Sequence, residues 1–343
     1  MTLRTRALVT GGAVAAVVAG GVALAQQPQF FRIASGSAGG TYFPIAGLLA
    51  NAISHPPGSR PCEEGGSCGV EGLIAVAQAS NASVANATAV QSGQVESGLA
   101  SADIVYQVVN AEGMFEGQEP YDNVCVIANL FPEHMQLVLP EGSDIAAIED
   151  LEGKRVGIAQ AGSGTQVVVL DLLEAFGITR DDIEPAELNN QQSAERLADG
   201  QLDAYFYVAG IPTAAMVQLA STSGMKLHAF SEEEKETFLE AVPFYYEATI
   251  PGGTYEGLDE DIPTVAVGAQ WITGCDQPEE LIYEITKALW NDNTRNLLDN
   301  GHAKGKDIQL ESALQAVLTP LHPGAEKFYE EQGMKVEQAE ARQ

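Results

Sequence analysis

Short apolar runs alternate with helix-like, alanine-rich segments along most of the chain. Residues 30–34 read as a strand and 45–53 as a helix. Residues 72–79 are again strand-like, and a helix follows over 84–91. A turn at Ser92–Gly93–Gln94–Val95–Glu96 leads into another strand. Ser101 then caps a helix that runs to Val109, with Asp103 in its first turn. The order recurs later: strand 154–160, helix 166–176, strand 185–188, helix 192–197, a strand at 203–206 and a helix over 214–220. Asp199–Gly200–Gln201–Leu202–Asp203 echoes the turn at 92–96, and each lies a similar distance beyond a glycine-rich strand-to-helix loop. Alternating strands and helices with crossovers predict mostly parallel sheets, here in two similar α/β lobes.

Two long apolar β-like stretches, 123–139 and 264–273, stand outside this repeat. The first looks broken at Phe131–Pro132–Glu133 and reads as a passage between domains. Residues 231–239 form an acidic helix, 243–254 are aromatic and turn-rich, 278–291 are amphipathic, and a last helix starts near Glu326.

The glycine-rich loops are the candidate chemistry. Gly36, Gly39 and Gly40 precede Thr41 and a helix; Gly162, Ser163 and Gly164 precede Thr165 and a second helix. A helix N-terminus has unpaired N–H groups and partial positive charge, so it accepts an anion without a basic side chain. Ligands of open α/β sheets bind beyond the carboxyl ends of the strands. The loops at 36–41, 101–103, 162–165 and 208–213 lie there and are expected to share one cleft. A single such loop is better explained as a tight turn; the duplication favours a site.

Residues 1–25 read as a secretory signal: Arg4 and Arg6, an apolar stretch, and the small-x-small site Ala23–Leu24–Ala25 ahead of Gln26. The mature protein is expected in the periplasm. The chain of 343 residues carries 47 acidic against 17 basic residues, a net charge of −30. That excludes nucleic acid or an anionic membrane surface as the main partner. Export permits disulfides. Cys62 and Cys68 flank a flexible polar loop and are expected to form a local disulfide; a metal knuckle is the rival, but no histidine lies beside the pair. Cys125 and Cys275 stand alone, and either pair with each other or remain buried thiols. No nucleophile elbow, phosphate loop, dinucleotide fingerprint or metal-binding histidine pair occurs. The expectation is therefore a binding protein, monomeric, with no catalytic set, no metal and no cofactor.

With these residues in hand, the chain resembles the TAXI family of TRAP-transporter solute-binding proteins. The resemblance is carried by Gly39–Gly40–Thr41–Tyr42, Ser101–Ala102–Asp103, Gly162–Ser163–Gly164–Thr165, Gly253–Thr254–Tyr255 and the segments 140–154, 206–213, 281–290 and 321–326. It covers nearly all of the mature chain. It implies a type II periplasmic-binding-protein fold, α/β and two-lobed, with two crossing strands as the hinge. Lobe one would hold residues 28–130 plus 266–343, and lobe two 131–265. It further implies a glutamate-like amino acid or dicarboxylate as ligand and a TRAP-type membrane permease as partner. The binding set would be Gly39, Gly40, Thr41, Tyr42, Ser101, Asp103, Ser163, Gly164, Thr165, Val208 and Gly210. With antiparallel crossing strands, Cys125 and Cys275 fall side by side and are expected to pair. Ala85 and Ala100 depart from the family pattern near the presumed cleft, and the cysteine loop is an insertion. An ABC importer, a sensor kinase or a periplasmic enzyme on the same fold are the rival readings.

Overall fold

The structure is a computed structural model that describes residues 28–336; the expected signal peptide lies outside the described residues. The strands are β1 (Gln29–Ala34), β2 (Ser54–His55), β3 (Val70–Glu71), β4 (Leu73–Gln78), β5 (Ser97–Ser101), β6 (Cys125–Leu139), β7 (Arg155–Gly157), β8 (Glu184–Ala186), β9 (Ala204–Ala209), β10 (Lys226–Leu227), β11 (Tyr246–Ile250) and β12 (Ile262–Thr273). The α-helices are α1 (Tyr42–Ile53), α2 (Ser83–Gln91), α3 (Ala102–Asn110), α4 (Gly164–Ala175), α5 (Asn190–Ala198), α6 (Ala214–Ser223), α7 (Glu232–Ala241), α8 (Glu279–Leu289), α9 (Asp292–Gly301) and α10 (Pro323–Glu331). None is long and apolar enough to cross a membrane.

The strands follow the order β4-β1-β5-β12-β6-β9-β7-β8. β4, β1 and β5 run parallel in the first lobe, and β8, β7 and β9 run parallel in the second. The long antiparallel strands β6 and β12 lie between the two sets and belong to both. This is a two-lobed α/β fold with two crossing strands. Each set is sandwiched by helices. Phe31, Ile45, Leu49, Trp271 and Tyr329 pack on one face of the first lobe, and Ile104, Val108 and Val126 on the other. Leu137, Leu172 and Phe206 fill one face of the second lobe, with Tyr205, Met216 and Leu219 opposite.

The internal repeat has a structural counterpart. Arg32 of β1 grips Glu96 through its backbone N–H and both sides of its guanidinium, at 2.7–2.9 Å. Arg155 of β7 grips Asp203 in the same way, at 2.6–3.0 Å. Both acids sit three residues after a left-handed glycine, Gly93 at φ 67° and Gly200 at φ 66°. Each lobe thus fixes its helix-to-strand turn to its first strand with one bidentate ion pair.

Both cysteine pairs are disulfides, with Cα–Cα separations of 4.8 Å for Cys62–Cys68 and 5.1 Å for Cys125–Cys275. Thr273 opposes Cys125 across the crossing strands. Three local readings need correction. β6 is continuous through Phe131–Pro132–Glu133. Pro132 lies opposite Gly268, before the ladder to β9 begins at His134, and Leu130 is bulged out of register. A proline is tolerated where one side of the strand is unpaired and a bulge relieves the ladder. The turn-rich segment 243–254 contains β11, which extends the sheet alongside β12. α9, a separate helix after α8, had no counterpart in the sequence reading; Asn291 caps it by accepting the Thr294 N–H.

Candidate ligand-binding site between the lobes

The two lobes meet across a cleft and enclose a cavity of about 40 Å³. One water needs roughly 10–15 Å³ by this measure, so about three fit. Four α-helices begin at this cavity. Thr41 and Tyr42 line it from the start of α1, and Ala82 and Ser83 from the start of α2. Gly164 and Thr165 line it from the start of α4, and Asn189 and Asn190 from the start of α5. Each presents first-turn N–H groups that lie beyond intrahelical pairing. Together they bring partial positive charge to the cavity from both lobes.

Local chemistry explains these helix starts. Ser163 caps α4 by accepting the Gln166 N–H, and Asn189 caps α5 by accepting the Gln192 N–H while Gln192 returns a bond to the Asn189 N–H. Gly164 has no room for a side chain: a Cβ there would lie 2.8 Å from Ser101 Oγ and 2.9 Å from Ser83 Oγ. A Cβ on Gly40 would strike the Tyr207 hydroxyl. These glycines let the lobes approach.

The facing loops are bonded to each other. The Thr41 hydroxyl donates to the Gly210 carbonyl. Asn190 Nδ2 and the Ala215 N–H donate to the Gly39 carbonyl at 3.2 and 3.3 Å. The Ala85 N–H donates to the Gly162 carbonyl at 3.0 Å, and Asn81 Nδ2 to the Ala161 carbonyl at 3.2 Å.

Of the residues expected to bind ligand, Thr41, Tyr42, Ser163, Gly164, Thr165 and Val208 line the cavity. Gly39, Gly40 and Gly210 lie in the lobe-to-lobe contact beside it. Ser101 and Asp103 stand one layer back, behind Ser83: the Ser101 N–H donates to Ser83 Oγ at 3.1 Å, and Asp103 is 1% exposed. Ser101 occupies the cap position of α3 without a capping side-chain bond. Arg32, the arginine nearest the first glycine loop in sequence, is engaged with Glu96.

The sequence reading missed Glu133. It lines the cavity from β6, is 3% exposed, and accepts a hydrogen bond from the Tyr42 hydroxyl at 2.7 Å. Burial pushes its carboxyl up to about 8, against the pull of the Tyr42 bond and with a contribution from the Asp103 charge. Burial also raises Asp103, to about 6. Among the described residues, no lysine, arginine or histidine lines the cavity. Ser83, Asn190 and Tyr207 are further lining residues the sequence reading passed over. The pattern Asn189 followed by Gln192 is a capping-box signal that marks the start of α5. Nothing local marks Glu133, because its position depends on where β6 crosses.

Residues 33–333 match the family model of the NMT1-like family. Among solved structures the fold is similar to the periplasmic binding protein BugD, with a TM-score of 0.54 and 13% identity over 90% of this chain and 99% of that one. It is also similar to an alkanesulfonate-binding protein, SsuA, from Xanthomonas axonopodis pv. citri, with a TM-score of 0.42 and 14% identity over 88% and 83% of the two chains. Of these two, the BugD likeness bears on the fold. With the match running through both lobes and the crossing strands, the chain belongs to the NMT1-like family.

Proposed function

We propose that this is an extracytoplasmic solute-binding protein. It closes two lobes over a small carboxylate, a glutamate-like amino acid or a dicarboxylate, and passes it to a membrane permease. The observation that carries the reading is the convergence of four helix N-termini on one interlobe cavity that no basic side chain lines. Amides and hydroxyls around Thr41, Ser83, Ser163, Gly164 and Thr165 meet the carboxylate, and Tyr42 and Tyr207 wall it in. Such contacts suit reversible capture, so the ligand leaves unchanged. We divide the lobes as residues 28–130 with 266–343 and residues 131–265, hinged on β6 and β12. A ligand of glutamate size needs the lobes to part and reclose around it.

For the partner we favour a TRAP-type permease driven by an ion gradient, on the strength of the resembling segments quoted above; an ABC importer is the alternative. Native mass spectrometry of the protein purified from its periplasm is the test. A co-purified small carboxylate, released intact on unfolding, is the expected result. A ligand without a carboxylate would refute the anion reading, and a chemically altered ligand would indicate an enzyme. Uptake into proteoliposomes holding the permease separates the partners: ion-gradient-driven transport marks the TRAP type, and dependence on ATP marks the ABC type.

A further inference from the structure

The cavity carries both kinds of polar group, and this bears on the choice between an amino acid and a dicarboxylate. Helix N-termini supply donors. Two buried side chains at the wall supply acceptors. Glu133 is buried at the cavity wall, and its bond from Tyr42 engages one oxygen, Oε2. Asn190, 2% exposed and also lining the cavity, spends Nδ2 on the Gly39 carbonyl and Thr213 Oγ1, while its Oδ1 has no hydrogen-bond partner. A buried acceptor without a donor is unfavourable, and a ligand N–H relieves it.

We infer that Glu133, together with Asn190 Oδ1, recognises the ammonium group of the ligand, so that the site selects α-amino acids over dicarboxylates and other simple carboxylates. The inference rests on the solute-binding reading. A second carboxylate meets like charge when Glu133 is ionised and a single O–H donor when it is protonated, and in both states Asn190 Oδ1 offers it no donor. An ammonium there meets a desolvated carboxylate, and its own carboxylate is left to the helix N-termini. The groups whose charge or hydroxyl bears on Glu133 are Tyr42 on α1, Asp103 on α3, Tyr207 on β9, and Tyr245 and Tyr246 at β11; all are acidic or neutral, so none replaces the missing cation. Burial raises the Glu133 carboxyl to about 8, so it is mostly protonated at neutral pH until a cation arrives. Capture of an ammonium then releases that proton to solvent.

The test is calorimetry at pH 7 on the mature protein, freed of ligand by unfolding and refolding. The probes are matched pairs that differ in the amino group: L-alanine with propionate, and L-glutamate with glutarate. Amino acids are expected to bind at least tenfold more tightly than their partners. Repeating the titration in buffers of different ionisation enthalpy should show close to one proton released per amino acid bound. Glu133→Gln should remove both the preference and the proton release. Equal or tighter binding of propionate and glutarate overturns the inference while leaving the solute-binding reading intact. Binding of none of the four probes, with the refolded protein intact, overturns the carboxylate reading and the inference with it. If Glu133→Gln does not fold, the matched pairs and the proton count on the native sequence still decide.

Discussion

Glu133 and Asp103 are carboxyl groups that the fold keeps away from water, and this sets how stability depends on pH. Burial raises Glu133 from 4.5 to about 8. Between those values the folded protein holds a proton that the unfolded chain releases, so stability falls as pH rises through that window. His134 acts in a lower window: burial and the nearby Lys304 depress it to about 4, and its effect is confined below 6.5. Asp103 is also spent above about 6. Melting temperature of the empty protein should therefore fall from pH 6.5 to 8, and Glu133→Gln should flatten that decline. A decline of the same slope in the variant would mean that Glu133 ionises normally. The threonines at the helix starts separate two roles. Thr41 donates to the Gly210 carbonyl across the cleft, so Thr41→Val should weaken binding by roughly fivefold through the loss of a closing bond worth about 1 kcal/mol. Thr165 Oγ1 accepts the buried Val208 N–H at 3.2 Å. Thr165→Val leaves that N–H unpaired and should also lower stability, by about 1–3 kcal/mol. Calorimetric titration and denaturant unfolding of both variants distinguish these outcomes.

At the scale of elements, the crossing strands carry the larger structural constraint. Cys125–Cys275 closes a loop with a sequence separation of 150, against 6 for Cys62–Cys68. In the chain-entropy description these are worth about 5 and about 2 kcal/mol at 25 °C. Replacing both members of the long-range pair with alanine should lower the melting temperature by more than the same change at the local pair. The reverse order would show that native-state terms outweigh loop closure. β6 illustrates why an element can be misread. Pro132 and the bulge at Leu130 resemble a strand end locally, yet pairing with β12 on one side holds the strand together, and pairing with β9 resumes at His134.

On the proposed reading the whole molecule opens and closes about β6 and β12. Hydrogen bonds between the lobes centre on Gly39, Gly162 and Gly210, and apolar contacts accompany them: Tyr106 packs on Phe244 with ring centroids 4.6 Å apart, and Val167 joins the core of the first lobe. Small-angle scattering should show a more compact particle with saturating ligand than without, and ligand at a hundred times its dissociation constant should add about 2.7 kcal/mol of stability. Gly164→Ala places a methyl group where Ser101 Oγ and Ser83 Oγ already crowd the helix start. It should hold the lobes apart, weaken binding and leave each lobe folded. An unchanged shape with and without ligand in the native protein would refute hinge closure.

The sequence alone determined the alternation of strands and helices, the two glycine loops, the duplicated turns and the local pair Cys62–Cys68, because each is written in local spacing or in residue chemistry that acts over a few positions; the Cys125–Cys275 pair, 150 positions apart, depended on where the crossing strands lie. The paired arginine clamps show how far that reaches: the turn sequences were visible as a repeat, while their partners, Arg32 and Arg155, lie 64 and 48 positions away. Only the tertiary structure decided which helix starts share the cavity: of the four loops expected there, those at 36–41, 162–165 and 208–213 contribute lining residues, the loop at 101–103 stands one layer back, and the starts of α2 and α5 join them. It alone brought Glu133 to the Tyr42 hydroxyl across 91 positions of sequence. A strand residue's side is set by period two, but whether that side faces a core or a ligand depends on where two lobes meet, and no local pattern encodes that meeting.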